Sequence, residues 1–272
     1  YFDSFDVPVR YGFGYGLSYT TFETKVLSAV LKDNKIVVET ETTNTGNTYS
    51  GKEVIQLYAT CPAGKLEKEY RRLVAFGKTG LLAPGQSEKM TLEITLDKLT
   101  SYSETEAAWI LEKGSYVFWE GNCLETSVPC AVLALDADVT LTKTQNICPL
   151  KEELEELKQP SEKMNQKLAA LLKLTEEKNL PVLELKAVDV VTRVVEYHSN
   201  AECVPEEARE FVDTLSTEKL VALASGDPGK GQGSNLGSAG IAVPGSAGET
   251  NDCALEDGIP GIVLSDGPAG LR

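Results

Sequence analysis

Met90, Leu92, Ile94 and Leu96 alternate with Thr91, Glu93 and Thr95, and so strict a period admits one local structure. Successive side chains of a strand point to opposite faces, so a period of two puts the apolar residues on one side. Ile36, Val38 and Thr40 alternate with Val37, Glu39 and Glu41 in the same way. Val54 to Ala59 and Tyr116 to Trp119 are further runs rich in β-branched and aromatic residues. Turn residues separate these runs at Asp33-Asn34, Asn44-Thr45-Gly46-Asn47, Pro84-Gly85 and Lys113-Gly114. Short half-buried strands at this spacing predict an all-β domain over residues 21–143, a two-sheet sandwich of immunoglobulin-like or fibronectin-like type.

After Thr142 the period changes. Leu150, Leu154 and Leu157 sit among Glu152, Glu153, Glu155 and Glu156, which predicts an acidic amphipathic helix that Pro160 ends or kinks. Ser161 can cap the next helix, whose apolar face is Met164, Leu168, Leu171 and Leu172. A Leu/Glu/Lys helix of this kind packs against its own protein more often than against a partner. Residues 180–200 mix Val and Leu with few breakers and fit strand or helix. Pro205 suits a first helical turn and is followed by Ala208, Phe211, Val212 and Leu215; Ser216 can cap a last helix carrying Leu220, Val221 and Ala224. Residues 144–225 thus read as a helical connector, and 226–272 as a separate Gly-rich segment that fits a flexible linker before it turns apolar.

The composition excludes several classes of partner. With 42% hydrophobic residues the chain can build a core. A formal net charge of −15 and a pI near 4.6 argue against nucleic acid and anionic membranes, whose phosphates favour Lys and Arg. An acidic surface that keeps the protein in solution is the plain reading, and no apolar run is long enough to span a bilayer. The 6 cysteines form no Cys-x-x-Cys pair and the chain has 1 His, His198, so no zinc spacing exists. No metal or other cofactor is expected. Cys123 and Cys130 can be drawn as a disulfide between neighbouring strands; free thiols in a reducing compartment are the competing reading. That reading, with no Asn-x-Ser/Thr sequon present, favours the cytoplasm. The opening Tyr-Phe-Asp-Ser-Phe has neither an initiator Met nor a signal-like pattern, so residue 1 is read as an internal position of a longer protein.

Catalytic patterns are sparse. Gly231-x-Gly233-x-x-x-Gly237 has the wrong spacing for a dinucleotide fingerprint; no phosphate loop and no Gly-x-Ser-x-Gly occurs, and His198 alone makes no triad. Ile262 to Leu264 predicts a short strand buried on both faces, with Asp266 directly after it and Gly267-Pro268 turning the chain. Barrels of parallel strands place their active sites at such strand ends. A carboxylate there accepts hydrogen bonds from sugar hydroxyls, and Arg272 can donate others. On the residues alone, a simple turn role for Asp266 competes with sugar binding.

Ahead of the strands lies Gly12-Phe13-Gly14-Tyr15-Gly16-Leu17-Ser18-Tyr19-Thr20-Thr21-Phe22. Aromatics that bury large areas interleave with glycines that let backbones approach closely, as in a lead-in wedged against a sheet. Phe13 to Phe22 closely resembles the signature that opens the fibronectin type III-like domain in large β-glucosidases of glycoside hydrolase family 3. Asn44-Thr45-Gly46, Gly51 to Tyr58, Leu82-Ala83-Pro84-Gly85, Trp109 and Gly114-Ser115-Tyr116 resemble that domain in the same order. Residues 1–12 resemble the linker that enters it from a preceding α/β sandwich. Pro244 to Thr250, Gly258-Ile259-Pro260 and Asp266 to Arg272 resemble the start of the family's (β/α)8 barrel domain, and Ser216 to Ser225 the helix that introduces it.

This resemblance implies the reverse domain order, with the barrel last. It implies that Asp266 binds hydroxyls of the non-reducing sugar and that Arg272 supports it. The family's nucleophile is an Asp in a Ser-Asp-Trp motif, whereas Ser265-Asp266 precedes Gly267; Asp266 is therefore not the nucleophile, and no catalytic residue is assigned within this chain. The expectation is a fragment of a retaining exo-β-glycosidase, a β-glucosidase first and a β-xylosidase or arabinosidase as alternatives, inactive by itself. Its partners would be a β-linked glucoside or oligosaccharide, the α/β sandwich and barrel domains, and, as an open question, a second copy. The rival from another class is an independent β-sandwich module that binds carbohydrate or protein through exposed coplanar aromatics.

Overall fold

Strand β2 (Lys35–Asn44) buries Ile36, Val38, Thr40, Thr42 and Asn44 and leaves the residues between them more open, as its alternation requires. It pairs antiparallel with β1 (Phe22–Lys32) on one side and β5 (Ser87–Thr95) on the other, forming a three-stranded sheet. This arrangement comes from a computed structural model, which describes residues 1–150, 152, 161–198, 204–225 and 248–264. The chain divides into two compact units, Tyr1–Tyr197 and His198–Arg272.

In the first unit a second sheet faces the first. It is built from β3 (Val54–Thr60), β4 (Arg72–Lys78), β8 (Gly114–Gly121), β9 (Val128–Leu135) and β11 (Val182–Leu185), in the order β11-β9-β8-β3-β4. Ile36, Val38, Leu92 and Ile94 of one sheet meet Ile55, Leu57, Phe118 and Leu133 of the other in one apolar core. Two layers closed over a shared core make the fibronectin-like sandwich that the periodicity predicts. Tyr116, fully buried at the start of β8, donates its hydroxyl back to the carbonyl of Glu112 at 2.7 Å. That bond is the tyrosine corner characteristic of such sandwiches.

β6 (Ser101–Ser103), β7 (Ala108–Leu111), β10 (Val139–Lys143) and β12 (Arg193–Val194) form a smaller sheet, in the order β12-β10-β7-β6. Residues 180–200 therefore resolve toward strand: β11 runs parallel to β9, and β12 parallel to β10. A parallel neighbour needs a long crossover. Helix α1 (Ser161–Glu177) lies within that crossover and carries the expected apolar face, with Leu171 buried and Met164, Leu168 and Leu172 half-buried. The acidic helix expected over 150–157 and the Gly-rich stretch 226–247 lie, apart from Leu150 and Glu152, outside the described residues.

The disulfide drawn between Cys123 and Cys130 does not form. Both thiols are free and buried. Cys130 Sγ donates to the carbonyl of Phe118 at 3.5 Å, and Cys123 Sγ lies 3.3 Å from Thr126 Oγ1.

The second unit holds α2 (Glu206–Asp213), α3 (Thr217–Ser225), β13 (Gly248–Glu249) and β14 (Val263–Leu264). Ser216 caps α3 as expected, accepting the Lys219 amide at 3.3 Å. Ile262–Leu264 differs from its expectation: β14 pairs antiparallel with β13, and Val263 and Leu264 stand 41% and 49% exposed rather than buried on both faces. A two-residue antiparallel partner covers one edge and neither face.

Candidate functional site

Asp266 and Arg272, the two residues expected to touch sugar, lie outside the described residues. The segment leading to them is held as a narrow loop. Thr250 donates its amide to Ile262 O at 2.9 Å, and Ile262 returns its amide to Thr250 Oγ1 at 2.7 Å. Gly258 adopts φ +89°, a left-handed turn that favours glycine. Lys219 of α3 forms an ion pair with Asp257, which raises the ammonium pKa above its ordinary value.

Within the sandwich the buried acids hold structure. Glu112 accepts the amides of Lys65 at 2.6 Å and Leu66 at 3.2 Å and pairs with Lys68, both side chains being 6% exposed. It thereby clamps the loop between β3 and β4. Glu120, buried at 7% exposure, has its carboxyl pushed up to about 7 by desolvation and by the nearby Glu53. A carboxyl tuned to neutrality suits a proton donor. Glu120 instead sits in β8, outside the lining of the cleft described below. Among the described residues no group of three or more His, Cys, Asp or Glu is placed to hold a metal ion, and no helix is long and apolar enough to cross a membrane.

The aromatic lead-in is the feature that the fold sets apart. It packs on the outer face of the five-stranded sheet, where Tyr58, Val117, Trp119 and Val132 form a second apolar cluster with Leu171 of α1. Phe13 meets the Tyr58 ring edge-on at 6.4 Å, and its carbonyl accepts the Leu124 amide at 2.9 Å. Gln56 anchors the same turn, donating to Gly14 O at 3.3 Å and to Asn122 O at 2.5 Å. A cleft of about 660 Å³ runs beneath this segment, lined by Tyr1, Tyr11, Phe13, Tyr58, Arg71 and Glu125 among others.

Beyond Tyr15 the lead-in turns outward. Leu17 is 89% and Tyr19 93% exposed, and Tyr19 meets the exposed Tyr49 edge-on at 6.5 Å. Leu17, Tyr19 and Tyr49 thus leave neighbouring apolar surface open to solvent. The outer face of the three-stranded sheet is different: Lys89, Glu39 and Glu93 point to solvent, and Lys35 pairs with Glu93 at 2.8 Å. Flat aromatic platforms of the kind a sugar-binding module uses are not formed by the pairs Tyr102–Trp109, tilted at 57°, or Tyr19–Tyr49, at 63°.

Sequence reasoning missed one cluster. Arg71 grips the Asp3 carboxylate through Nε at 3.0 Å and a terminal nitrogen at 2.5 Å, with its guanidinium 4.9 Å from the centre of the Trp119 ring. The same side chain donates to Leu124 O at 2.9 Å and Ser127 Oγ at 3.0 Å. No local pattern joins residues so far apart in the chain.

A profile of the fibronectin type III-like domain matches residues 53–122. The chain is 29% identical to a β-glucosidase of Ruminococcus albus, with 100% of this chain aligned to 29% of that protein. It is 30% identical to β-glucosidase A of Butyrivibrio fibrisolvens, with 97% of this chain aligned to 35% of that protein. The chain thus spans about a third of the length of these curated relatives. Among solved structures, a β-glucosidase from Paenibacillus barengoltzii is 37% identical with a TM-score of 0.50, over 51% of this chain and 17% of that one.

Proposed function

We propose that this chain is part of a β-glucosidase-type glycoside hydrolase of family 3 and serves a retaining exo-β-glycosidase as its supporting sandwich and one corner of its sugar subsite. The observation that carries this reading is collinearity. Two β-glucosidases align along 100% and 97% of this chain.

Retaining hydrolysis needs a nucleophilic carboxylate and a proton-donating carboxyl about 5 to 5.5 Å apart. The buried acids of the sandwich are committed elsewhere: Glu112 to Lys68 and the loop amides, Glu120 to the interior of β8. By the family resemblance, both reacting groups belong to the rest of the protein, the nucleophile in a Ser-Asp-Trp motif of its barrel. Asp266 accepts hydrogen bonds from hydroxyls of the terminal sugar, and Arg272 supports that binding as a donor to the same sugar. Neither step requires a metal. Leu17, Tyr19 and Tyr49 form the face on which a flanking catalytic domain rests, while the charged sheet opposite stays in water.

The test uses the complete protein with a chromogenic β-glucoside and proton NMR of the first-formed product. The expected result is release of terminal glucose with the β anomer appearing first. Failure to cleave β-glucosides, or an inverted anomer, would overturn the proposal. Faster turnover of a β-xyloside or arabinoside would keep the mechanism and correct the sugar.

A further inference from the structure

The lead-in and helix α1 lie on opposite sides of the sandwich in sequence, yet they meet on one face of the five-stranded sheet. Asp6 accepts Lys163 Nζ at 2.9 Å and Lys167 Nζ at 2.6 Å. Lys167 also donates to the carbonyl of Asp3 at 3.1 Å and lies 4.0 Å from the centre of the Tyr70 ring. Asp3 is held by Arg71, and Ser4 Oγ accepts the Tyr70 amide at 3.0 Å. Three chain segments, the lead-in, the start of β4 with its preceding loop, and α1, thus share one network of charges.

We propose that Asp3, Asp6, Arg71, Lys163 and Lys167 form an ionic clasp that makes the lead-in and helix α1 open and close on the five-stranded sheet as one unit.

An isolated surface ion pair contributes little, and Asp6 with Lys163 alone would be such a case, at 50% and 49% side-chain exposure. The other three members are shielded: the side chains of Arg71, Lys167 and Asp3 are 13%, 18% and 21% exposed. Arg71 and Lys167 also rest on aromatic rings, where a cation gains attraction from the ring face. Lys167, then Lys163, holds the Asp6 carboxyl below its ordinary range. The clasp thus couples the lead-in to the α1 crossover, independently of the reaction the whole protein performs.

Coupling of this kind is reciprocal, which makes it measurable. Hydrogen exchange on the 272-residue chain has natural reporters in the Phe5 and Val7 amides, bonded to Tyr1 O and Phe2 O at 3.0 and 2.9 Å. Lys167→Met, a change in α1, is expected to speed exchange of those lead-in amides roughly 5- to 10-fold at low salt. Asp6→Asn, a change in the lead-in, is expected to speed exchange in α1 between Gln166 and Leu172. Lys167→Arg should restore protection, and 1 M salt should erase the difference between variants and the parent chain. A rise confined to the substituted segment, or none, would overturn the clasp. Should Lys167→Met also loosen β8, the Asp6→Asn arm decides: faster exchange in α1 supports the clasp and unchanged exchange there refutes it.

Discussion

Gly14 and Gln56 compete for the same space: a Cβ at position 14 would fall 2.2 Å from Oε1 of Gln56. Gln56 cannot yield, because its amide donates to Asn122 O and Gly14 O while its Oε1 accepts the Tyr58 hydroxyl at 2.5 Å. Gly14 also sits at φ +81°, where a side chain is strained whatever the space. Gly14→Ala is therefore expected to cost about 2–4 kcal/mol of stability. Gly16 has no atom within 4 Å of its Cβ position, so Gly16→Ala should leave the chain within about 0.5 kcal/mol. Urea melts of the two variants check the contrast; equal effects would count against the wedge geometry.

Glu120 gives a pH signature. Its folded carboxyl titrates near 7 against an ordinary 4.5, because burial and Glu53 disfavour the charge. Between those values the folded chain binds more protons than the unfolded one, so this group lowers stability as pH rises from about 4.5 to about 7. Glu120→Gln removes the titration. The variant should match the parent chain near pH 4.5 and exceed it by about 3 kcal/mol at pH 8. Thermal melts across that range read the effect, and a variant with no advantage at pH 8 would contradict the burial of this carboxyl.

Lys68 and Glu112 make a buried pair whose loss should be asymmetric. Lys68→Met leaves Glu112 in the interior with only the amides of Lys65 and Leu66 for partners, a change expected to cost about 3 kcal/mol. Replacing both, as Lys68→Met with Glu112→Leu, should cost less than the sum of the single changes. A double-mutant cycle measures this coupling, and strict additivity would show that the pair contributes nothing.

The strands of the sandwich were legible because one face of each sheet is dry. Ile36 and Val38, or Leu92 and Ile94, must point to the same side, and period two records that. The face of α1 was legible for the same reason, through Leu171 and Leu172. β11 and β12 were ambiguous because they are additions of four and two residues at sheet edges, too short for a period to register, with Val182 and Val194 exposed. Ile262–Leu264 reads as a buried strand because its residues are apolar, yet burial depends on neighbours that the run itself does not encode. The grip of Arg71 on Asp3 had no signal, since pairing over such a separation follows from the fold and not from spacing.

The most direct test of the central claim is steady-state hydrolysis of a chromogenic β-glucoside by the purified 272-residue chain, assayed beside the complete protein. The account predicts turnover by the complete protein and none above buffer by the chain. Turnover that rises in proportion to the concentration of the chain alone would contradict it.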